Sequence, residues 1–570
     1  MNKKDVIKLL ETIAIYMELK GENPFKVSAF RKAAIAIEQD ERTLEDIEDI
    51  TALSGVGKGT AAVIHEYIQT GQSTVLEELR EEVPQGLIPL LKLPGLGGKK
   101  ISKLYKELGI TNKDQLKNAC LEHKIRGLTG FGEKTEQKIL AAIEEVGNRP
   151  ERLPIAFMLP IAVEIESKLS TMHDVVRYSR AGSLRRARET IKDLDFIIAT
   201  NDPSSVREQL LRLERVKDVI ASGDTKVFLQ LAYEFEVSVD FRLVEPKEFA
   251  TTLHHFTGSK EHNVKMRQLA KERGLKISEY GVENLETGEV KTFETEEQFY
   301  QFFGLNFIPP EVRETGSEVE AFQSIVPLLE LKDIKGDLHM HSTWSDGAHS
   351  IEQMAEACRA KGYSYMAMTD HSKYLRVANG LTVEQLIRQR EEIKRLNEKY
   401  DDFTILSGVE MDILPDGTLD YDDELLEEMD LVIASIHSSF SQPRETIMNR
   451  LRTALESFHV DIIAHPTGRI LGRRDGYDVD VEMLIQLAKE TNTALELNAN
   501  PNRLDLSSHY IQLAQEAGVK IVINTDAHHM AQLEYMGIGV SCAKKGWIRK
   551  DSVINCLEIE ELKSFLNRNN

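Results

Sequence analysis

The chain has 570 residues, 41% hydrophobic and 29% charged, with a formal net charge of −22. One core does not serve that length, so two to four domains are expected. Four cysteines (Cys120, Cys358, Cys542, Cys556) stand far apart with no CxxC pair, which excludes zinc fingers and a disulfide framework and fits reduced thiols in a cytoplasm. No apolar run reaches membrane-spanning length, so no membrane partner is expected, and Met1-Asn2-Lys3-Lys4 leads into an amphipathic helix rather than a signal peptide. The acidity argues against nucleic acid until it is divided along the chain. Residues 1–150 carry 22 Lys and Arg against 23 Asp and Glu, whereas residues 333–570 carry 25 against 39 and supply −14 of the −22. Acids that ligate metal are neutralised when the metal is bound, and the amino-terminal part is left able to present basic patches.

Residues 1–50 read as helices, with Leu9, Leu10, Ile13 and Met17 on one face, and the stretch from Pro24 to Ala34 opens a helix with a basic edge. A small unit then recurs three times: Leu53-Ser54-Gly55-Val56-Gly57-Lys58, Leu93-Pro94-Gly95-Leu96-Gly97-Gly98-Lys99 and Leu128-Thr129-Gly130-Phe131-Gly132-Glu133-Lys134. Paired glycines before a helix allow a tight turn that aims backbone N–H groups at a phosphate. The unit resembles the helix-hairpin-helix motif, which holds DNA by its backbone without reading sequence. Gly55, Gly57, Lys58, Gly95, Gly97, Lys99, Gly130 and Gly132 are the expected DNA contacts.

From residue 150 to 310 the texture changes. Asp193 and Asp195 alternate with apolar neighbours in Ile191-Lys192-Asp193-Leu194-Asp195-Phe196-Ile197-Ile198, so a strand puts both carboxylates on one face. Val237-Ser238-Val239-Asp240-Phe241 repeats the alternation and offers a third. Crowded carboxylates call for cations, and three of them are a platform for two Mg2+ ions in phosphoryl transfer. Gly182 and Ser183, followed by Arg185 and Arg186, supply backbone and side-chain donors for a triphosphate.

The last 240 residues repeat one pattern. His339 and His341 flank Met340, and Asp346 follows five residues after His341. Short apolar runs then end at His371, Glu410, His437, His465, Asn498 and finally Asp526-Ala527-His528, mostly separated by helix-length amphipathic segments. Seven short strands, each delivering a polar or ligand-type residue past its carboxyl end, predict a (β/α) barrel with its chemistry at one mouth. Imidazoles and carboxylates in that company suit a divalent transition metal.

The Gly182-Ser183 to Asp193-x-Asp195 spacing, Asp240, and Phe256-Thr257-Gly258-Ser259 followed by Asn263 and Arg267 resemble family X DNA polymerases such as DNA polymerase beta, over roughly residues 1–315. Residues 333–570 resemble the polymerase and histidinol phosphatase (PHP) domain. The implied fold is multidomain α/β: a helical helix-hairpin-helix region, a nucleotidyltransferase palm of α+β type and a distorted (β/α)7 barrel. The implied domains are 1–85 and 86–150 (DNA-binding), 151–240 (palm), 241–315 (thumb-like), 316–332 (linker, in which Val326-Pro327-Leu328-Leu329-Glu330 returns to pack on the barrel) and 333–570 (PHP).

Carried over by position, Asp193 and Asp195 hold both Mg2+ ions, and Asp240 completes the one at the primer 3′ hydroxyl. Gly182, Ser183, Arg186 and Arg152 fall at the triphosphate; Asn263, Arg267, His255, Phe256 and Gly258 fall near the nascent base pair. His339, His341, Asp346, His371, Glu410, His437, His465, Asp526 and His528 form a complete nine-ligand set for up to three Mn2+ or Zn2+ ions. Departures are His255 for a tyrosine linked to sugar discrimination, Val63 where relatives with lyase activity carry a lysine, Lys260 for an acid near the base, and Ile191 for a small polar residue. The resemblance implies a monomeric, cytoplasmic repair polymerase that takes gapped or primer-template DNA and dNTPs, fills short gaps in base excision repair, and carries a 3′→5′ exonuclease and an abasic-site endonuclease. The rival expectations are a small-molecule phosphoesterase with a degenerate transferase module and a DNA-end scaffold whose metals only stabilise the barrel.

Overall fold

The computed structural model describes residues 3–39, 47, 49–93, 96–148 and 151–566. The chain divides into two compact units, Met1–Pro150 and Glu151–Asn570. Among the described residues no helix is long and apolar enough to cross a membrane.

The first unit is helical. Lys3–Lys20 and Pro24–Gln39 pack as a pair, and the expected apolar face is inside: Leu10 and Ile13 are fully buried, while Met17 lies at the edge of the same core. Lys58–Thr70 and Gly98–Leu108 begin directly after Gly57 and Gly97, which cap them, and Glu133–Asn148 begins directly after Gly132. Gly55 (φ +110°) and Gly130 (φ +91°) take the left-handed turn conformation that a side chain would strain. Gly95 lies outside the described residues.

The second unit opens on a five-stranded sheet. The strands Asp193–Thr200 and Glu236–Val244 run parallel at its centre; Val175–Arg180 borders the first and Lys226–Ala232 the second, with Val216–Ser222 outermost. Alternation sorts the faces. Leu194, Phe196, Ile198, Val239 and Phe241 turn into a core with the helices Ile155–Leu169 and Pro203–Leu211. Asp193, Asp195 and Asp240 therefore take the opposite face. The strand Glu236–Val244 continues past residue 240, so the expected palm boundary cuts through it.

In the segment expected to be thumb-like, the helices Phe249–Thr257, Lys260–Lys271 and Glu296–Phe302 enclose a separate apolar cluster. Residues 316–332, expected as a linker, are instead partly core. Val319 and Phe322 belong to the thumb cluster, and Glu318 is fully buried against His262. Polar composition misled there, because the acid pairs inward. Leu329 is buried with the barrel core and its N–H donates to Ile548 O at 2.9 Å.

Seven strands follow in chain order, all neighbours parallel: Gly336–Asp337, Tyr365–Met368, Thr404–Asp412, Leu431–Ser435, Ile462–Ile463, Ala494–Asn498 and Ile521–Asn524. First and last approach closure through Leu338 N–H to Asn524 Oδ1 (3.0 Å) and His341 N–H to Ala527 O (2.9 Å). Helices such as Ile351–Ala360, Val383–Asn397 and Tyr535–Lys545 cover the outside. Barrel and palm touch within this unit: Arg469 Nη2 lies 2.7 Å from Glu189, and a Cβ on Gly472 would reach to 2.7 Å of Pro154.

Candidate palm and barrel metal centres

In the palm, Asp195 lies directly across from Asp240 in the parallel register, and Asp193 stands two positions before Asp195 on the same strand face. Burial, then the charges of Asp240 and Asp193, push the Asp195 carboxyl up to about 7. Asp240 Oδ2 is 3.0 Å from Lys226 Nζ, while Asp240 Oδ1 is buried without a hydrogen-bond donor. A suppressed ionisation and an unsatisfied buried oxygen are what a cation corrects, so these acids fit a divalent metal. Their oxygens are not drawn together as the barrel's are: among the described residues, every group of three or more ligand atoms within 4.8 Å lies in the barrel.

Gly182 has φ +59°, and a Cβ there would stand 2.0 Å from Asp195 Oδ2. It opens the short helix Gly182–Arg185, and Ser183 O accepts from Arg188 N–H at 3.0 Å. Arg186 donates Nε–H to Glu314 (3.0 Å) and Nη1–H to Thr257 O (2.8 Å). Glu314 in turn pairs with Lys545 from the barrel at 2.5 Å. Arg152 donates to Thr190 Oγ1 at 3.0 Å from an exposed position.

The segment around His255 is tied to the same floor. Arg242 lies 4.7 Å above the Phe256 ring and 3.3 Å from Asp240 Oδ1. His255 is 3.8 Å from Glu279, and its pKa is lowered first by burial, with Glu279 opposing and Arg267 contributing. Asn263 Nδ2 donates to His255 O at 2.8 Å. A Cβ on Gly258 would sit 2.7 Å from His262 and 2.9 Å from Asn263, so glycine is what lets the turn close. Val63 is buried inside Lys58–Thr70.

In the barrel, all nine ligand-type side chains converge. Glu410 is the hub: His371 Nδ1 is 3.0 Å away, His437 Nε2 3.1 Å, His465 Nε2 2.9 Å, His339 Nε2 3.2 Å and His341 Nε2 3.4 Å. Asp526 lies 3.1 Å from His341, and Asp346 lies 3.3 Å from His528 and 3.6 Å from His371. Three overlapping groups are suited to hold an ion: His341, Asp346, His371 and His528; His339, His341, Glu410 and Asp526; and His371, Glu410 and His437. His465 (φ 27°) and Asp526 (φ 54°) hold a backbone conformation rare for L residues, the kind of strain that concentrates at functional sites.

The electrostatics point the same way. Burial and the neighbouring His371 and His528 press the His341 pKa down to about 3. Burial opposes charge on His437 too, yet Glu410 and Asp412 outweigh it and raise that imidazole to about 10. Despite their burial, Glu410 and Asp526 are held well below the usual carboxylate range by the surrounding imidazoles. His339 Nε2, His341 Nδ1, His371 Nδ1, Glu410 Oε2 and His465 Nδ1 are buried without a hydrogen-bond partner. Metal ligation supplies what His339 Nε2, His371 Nδ1 and Glu410 Oε2 lack, so the donor set fits divalent cations.

Two supporting carboxylates belong to no sequence motif. Glu496 is fully buried in mid-strand, 2.7 Å from His339 Nδ1, and Asp412 is 3.1 Å from His437 Nδ1. Carboxylates placed there orient an imidazole so that its other nitrogen faces the metal. Asn498, at the end of its strand, donates Nδ2–H to Asp526 at 3.0 Å. The available signal was an acid inside an otherwise apolar buried strand, Ala494-Leu495-Glu496-Leu497.

In the first unit a Cβ on Gly57, Gly97, Gly130 or Gly132 would meet nothing within 4 Å, so these turns face open space where a phosphate can approach. Lys58 opens the helix Lys58–Thr70, and Lys99 is the second residue of Gly98–Leu108.

The sequence is similar to known families and proteins. Residues 1–73 match the helix-hairpin-helix domain family, 87–145 the SAM-like helix-hairpin-helix tandem, 252–314 the DNA polymerase beta thumb and 337–500 the PHP domain. The chain is 63% identical over 569 residues to the DNA polymerase/3'-5' exonuclease PolX of Bacillus subtilis (strain 168), covering 100% of both. It is also 30% identical over 244 residues, 40% of its length and 93% of the relative's, to a probable phosphatase of Thermoanaerobacter sp. (strain X514). A probable phosphatase of Acetivibrio thermocellus is 29% identical over 201 residues, 34% of the chain and 78% of the relative.

Proposed function

The chain belongs to the family of the DNA polymerase/3'-5' exonuclease PolX, and from that premise we propose that it extends DNA 3′ ends at the palm aspartates and shortens them at the barrel centre. Both activities depend on divalent metal. The observation that carries the reading is that one unit holds Asp195 in register with Asp240 and, apart from them, nine converging ligand-type side chains that include Glu410.

In the palm, Asp193 and Asp195 are assigned to two Mg2+ ions and Asp240 to the one at the primer 3′ oxygen. Divalent ions held there would supply neutralisation of the charge that develops in an in-line displacement at the dNTP α-phosphate. The protein's own part is placement. Glu314 and Thr257 O fix two edges of the Arg186 guanidinium and leave its remaining N–H groups for the triphosphate, beside the Gly182-Ser183 turn. Arg152, Asn263, Arg267, His255, Phe256 and Gly258 are assigned to the nucleotide and its base pair.

In the barrel, up to three Mn2+ or Zn2+ ions are assigned to the nine ligands, with Glu496 and Asp412 orienting His339 and His437. Divalent cations held by these residues would supply Lewis-acid polarisation of a phosphodiester and a lowered barrier to its hydrolysis. A terminal or abasic-site phosphodiester is the fitting substrate. The three glycine turns are assigned to DNA phosphates on either side of a short gap, which suits base excision repair by a monomer in the cytoplasm.

One gapped duplex, incubated with and without dNTPs in Mg2+ and in Mn2+, tests this on a single gel. Extension with dNTPs and stepwise 3′ shortening without them are expected. The likeness of 40% of the chain to a probable phosphatase favours one other reading for the barrel, hydrolysis of soluble phosphomonoesters; turnover of those at rates at or above DNA digestion would replace the nuclease assignment.

A further inference from the structure

Asp240 is gripped unevenly. Its Oδ2 lies 3.0 Å from Lys226 Nζ and 3.5 Å from Arg242 Nη2, so two cations share one oxygen. Its Oδ1 is buried, accepts no hydrogen bond, and has only Arg242 Nε at 3.3 Å. The strand register explains how Lys226 arrives. In the antiparallel pair, Phe228 stands opposite Asp240 and Lys226 opposite Arg242, so Lys226 reaches Asp240 along the diagonal on the same face. Alternation leaves Val227 and Leu229 in the core and Lys226 and Phe228 on the acid side, with Nζ 5.0 Å from the Phe228 ring.

We infer that Lys226 is a positioning residue for DNA synthesis: by engaging Asp240 Oδ2 it fixes the carboxylate plane and presents Oδ1 to the cation at the primer 3′ oxygen. The inference rests on the palm assignment above. Lys226 also sets how strongly Asp240 attracts that cation, because its own charge lies on the opposite oxygen. The pair itself adds little to folding, since Lys226 is one-third exposed (33%) and such ion pairs contribute little to stability. Its loss is therefore felt in the reaction and not in the melting temperature.

The test uses the full chain with Lys226→Met, Lys226→Gln and Lys226→Arg, beside Asp240→Ala. The readouts are kcat and KM for dNTP in primer extension, the Mg2+ midpoint of extension, 3′ digestion and thermal melting. A catalytic carboxylate out of place by about 1 Å costs up to roughly a hundredfold, so Lys226→Met is expected to lower kcat roughly ten- to a hundredfold. KM for dNTP stays within about threefold of wild type, as fits a loss confined to the reacting geometry. The Mg2+ midpoint falls, because the opposing charge is gone, and Lys226→Arg restores most of kcat. Digestion and melting stay at wild-type values. If Lys226→Met does not fold, Lys226→Gln, which keeps most of the side-chain length, is expected to show the same split. A wild-type kcat and Mg2+ midpoint in the folded neutral variant, with Asp240→Ala inactive, would overturn the role of Lys226 and leave the palm assignment standing. Full extension by Asp240→Ala would instead overturn the palm assignment itself.

Discussion

Gly182→Ala separates the stability of the palm from its chemistry. The backbone at Gly182 has φ +59°, a left-handed conformation that costs an L residue roughly 1–2 kcal/mol. The added Cβ would also stand 2.0 Å from Asp195 Oδ2, and contacts under 3.0 Å do not persist, so the carboxylate must retreat by about 1 Å. The end of one aspartate moves cheaply as far as folding is concerned. In the metal-holding role proposed for it, it does not: a displacement of that size costs about a hundredfold in rate, or ~2.7 kcal/mol of transition-state stabilisation. Primer extension by Gly182→Ala should therefore fall about a hundredfold, while the protein loses roughly 1–2 kcal/mol of stability and 3′ digestion continues. Extension rate, digestion rate and melting temperature measured on one preparation decide it. Extension within about threefold of wild type, less than 1 kcal/mol of lost stabilisation, would refute the placement of Asp195 in the reacting centre.

Glu496→Gln should weaken metal retention and 3′ digestion about ten- to a hundredfold through its hydrogen bond with His339 while sparing extension, as measured by digestion rate against added Mn2+. Asp195→Asn should stabilise the chelated protein at pH 8 and not at pH 4. With a folded pKa of about 7 against 3.8, ionising Asp195 costs stability that is absent below pH 4 and complete above pH 7, at most roughly 4 kcal/mol. Denaturant unfolding of both proteins at the two pH values checks the sign. Chelation should abolish digestion and lower the melting temperature of the Glu151–Asn570 unit, because metal binding at a hundred times Kd is worth about 2.7 kcal/mol; an unchanged melting curve would contradict resident barrel metals. Lys58→Ala with Lys99→Ala should flatten the salt dependence of duplex binding by about one unit of log–log slope for each phosphate no longer neutralised, read from affinity at several salt concentrations.

The barrel was legible in the sequence because its ligand-type residues stand where short apolar runs end, a spacing that strand geometry makes visible one strand at a time. The alternation at Asp193-Leu194-Asp195 and at Asp240 was legible for the same reason. What could not be read is what arrives from elsewhere. Lys226 meets Asp240 only through the register of two strands, and Glu496 meets His339 only once the barrel closes. Nor does Arg186 advertise Glu314, 128 positions away and itself held by Lys545. Residues 316–332 looked like a linker because Glu318 is charged, yet His262 gives that charge a buried partner and carries it into the thumb core. Local pattern states which residues share a face, and tertiary pairing decides which polar residues can leave water.

The account turns on two cation centres with opposite duties, and a pair of double variants on one 5′-labelled primer-template measures that directly. Asp193→Ala with Asp195→Ala should stop extension and leave 3′ shortening at wild-type rate; His339→Ala with His341→Ala should stop shortening and leave extension. Loss of both activities in either folded variant, or extension surviving without the two palm acids, would contradict it.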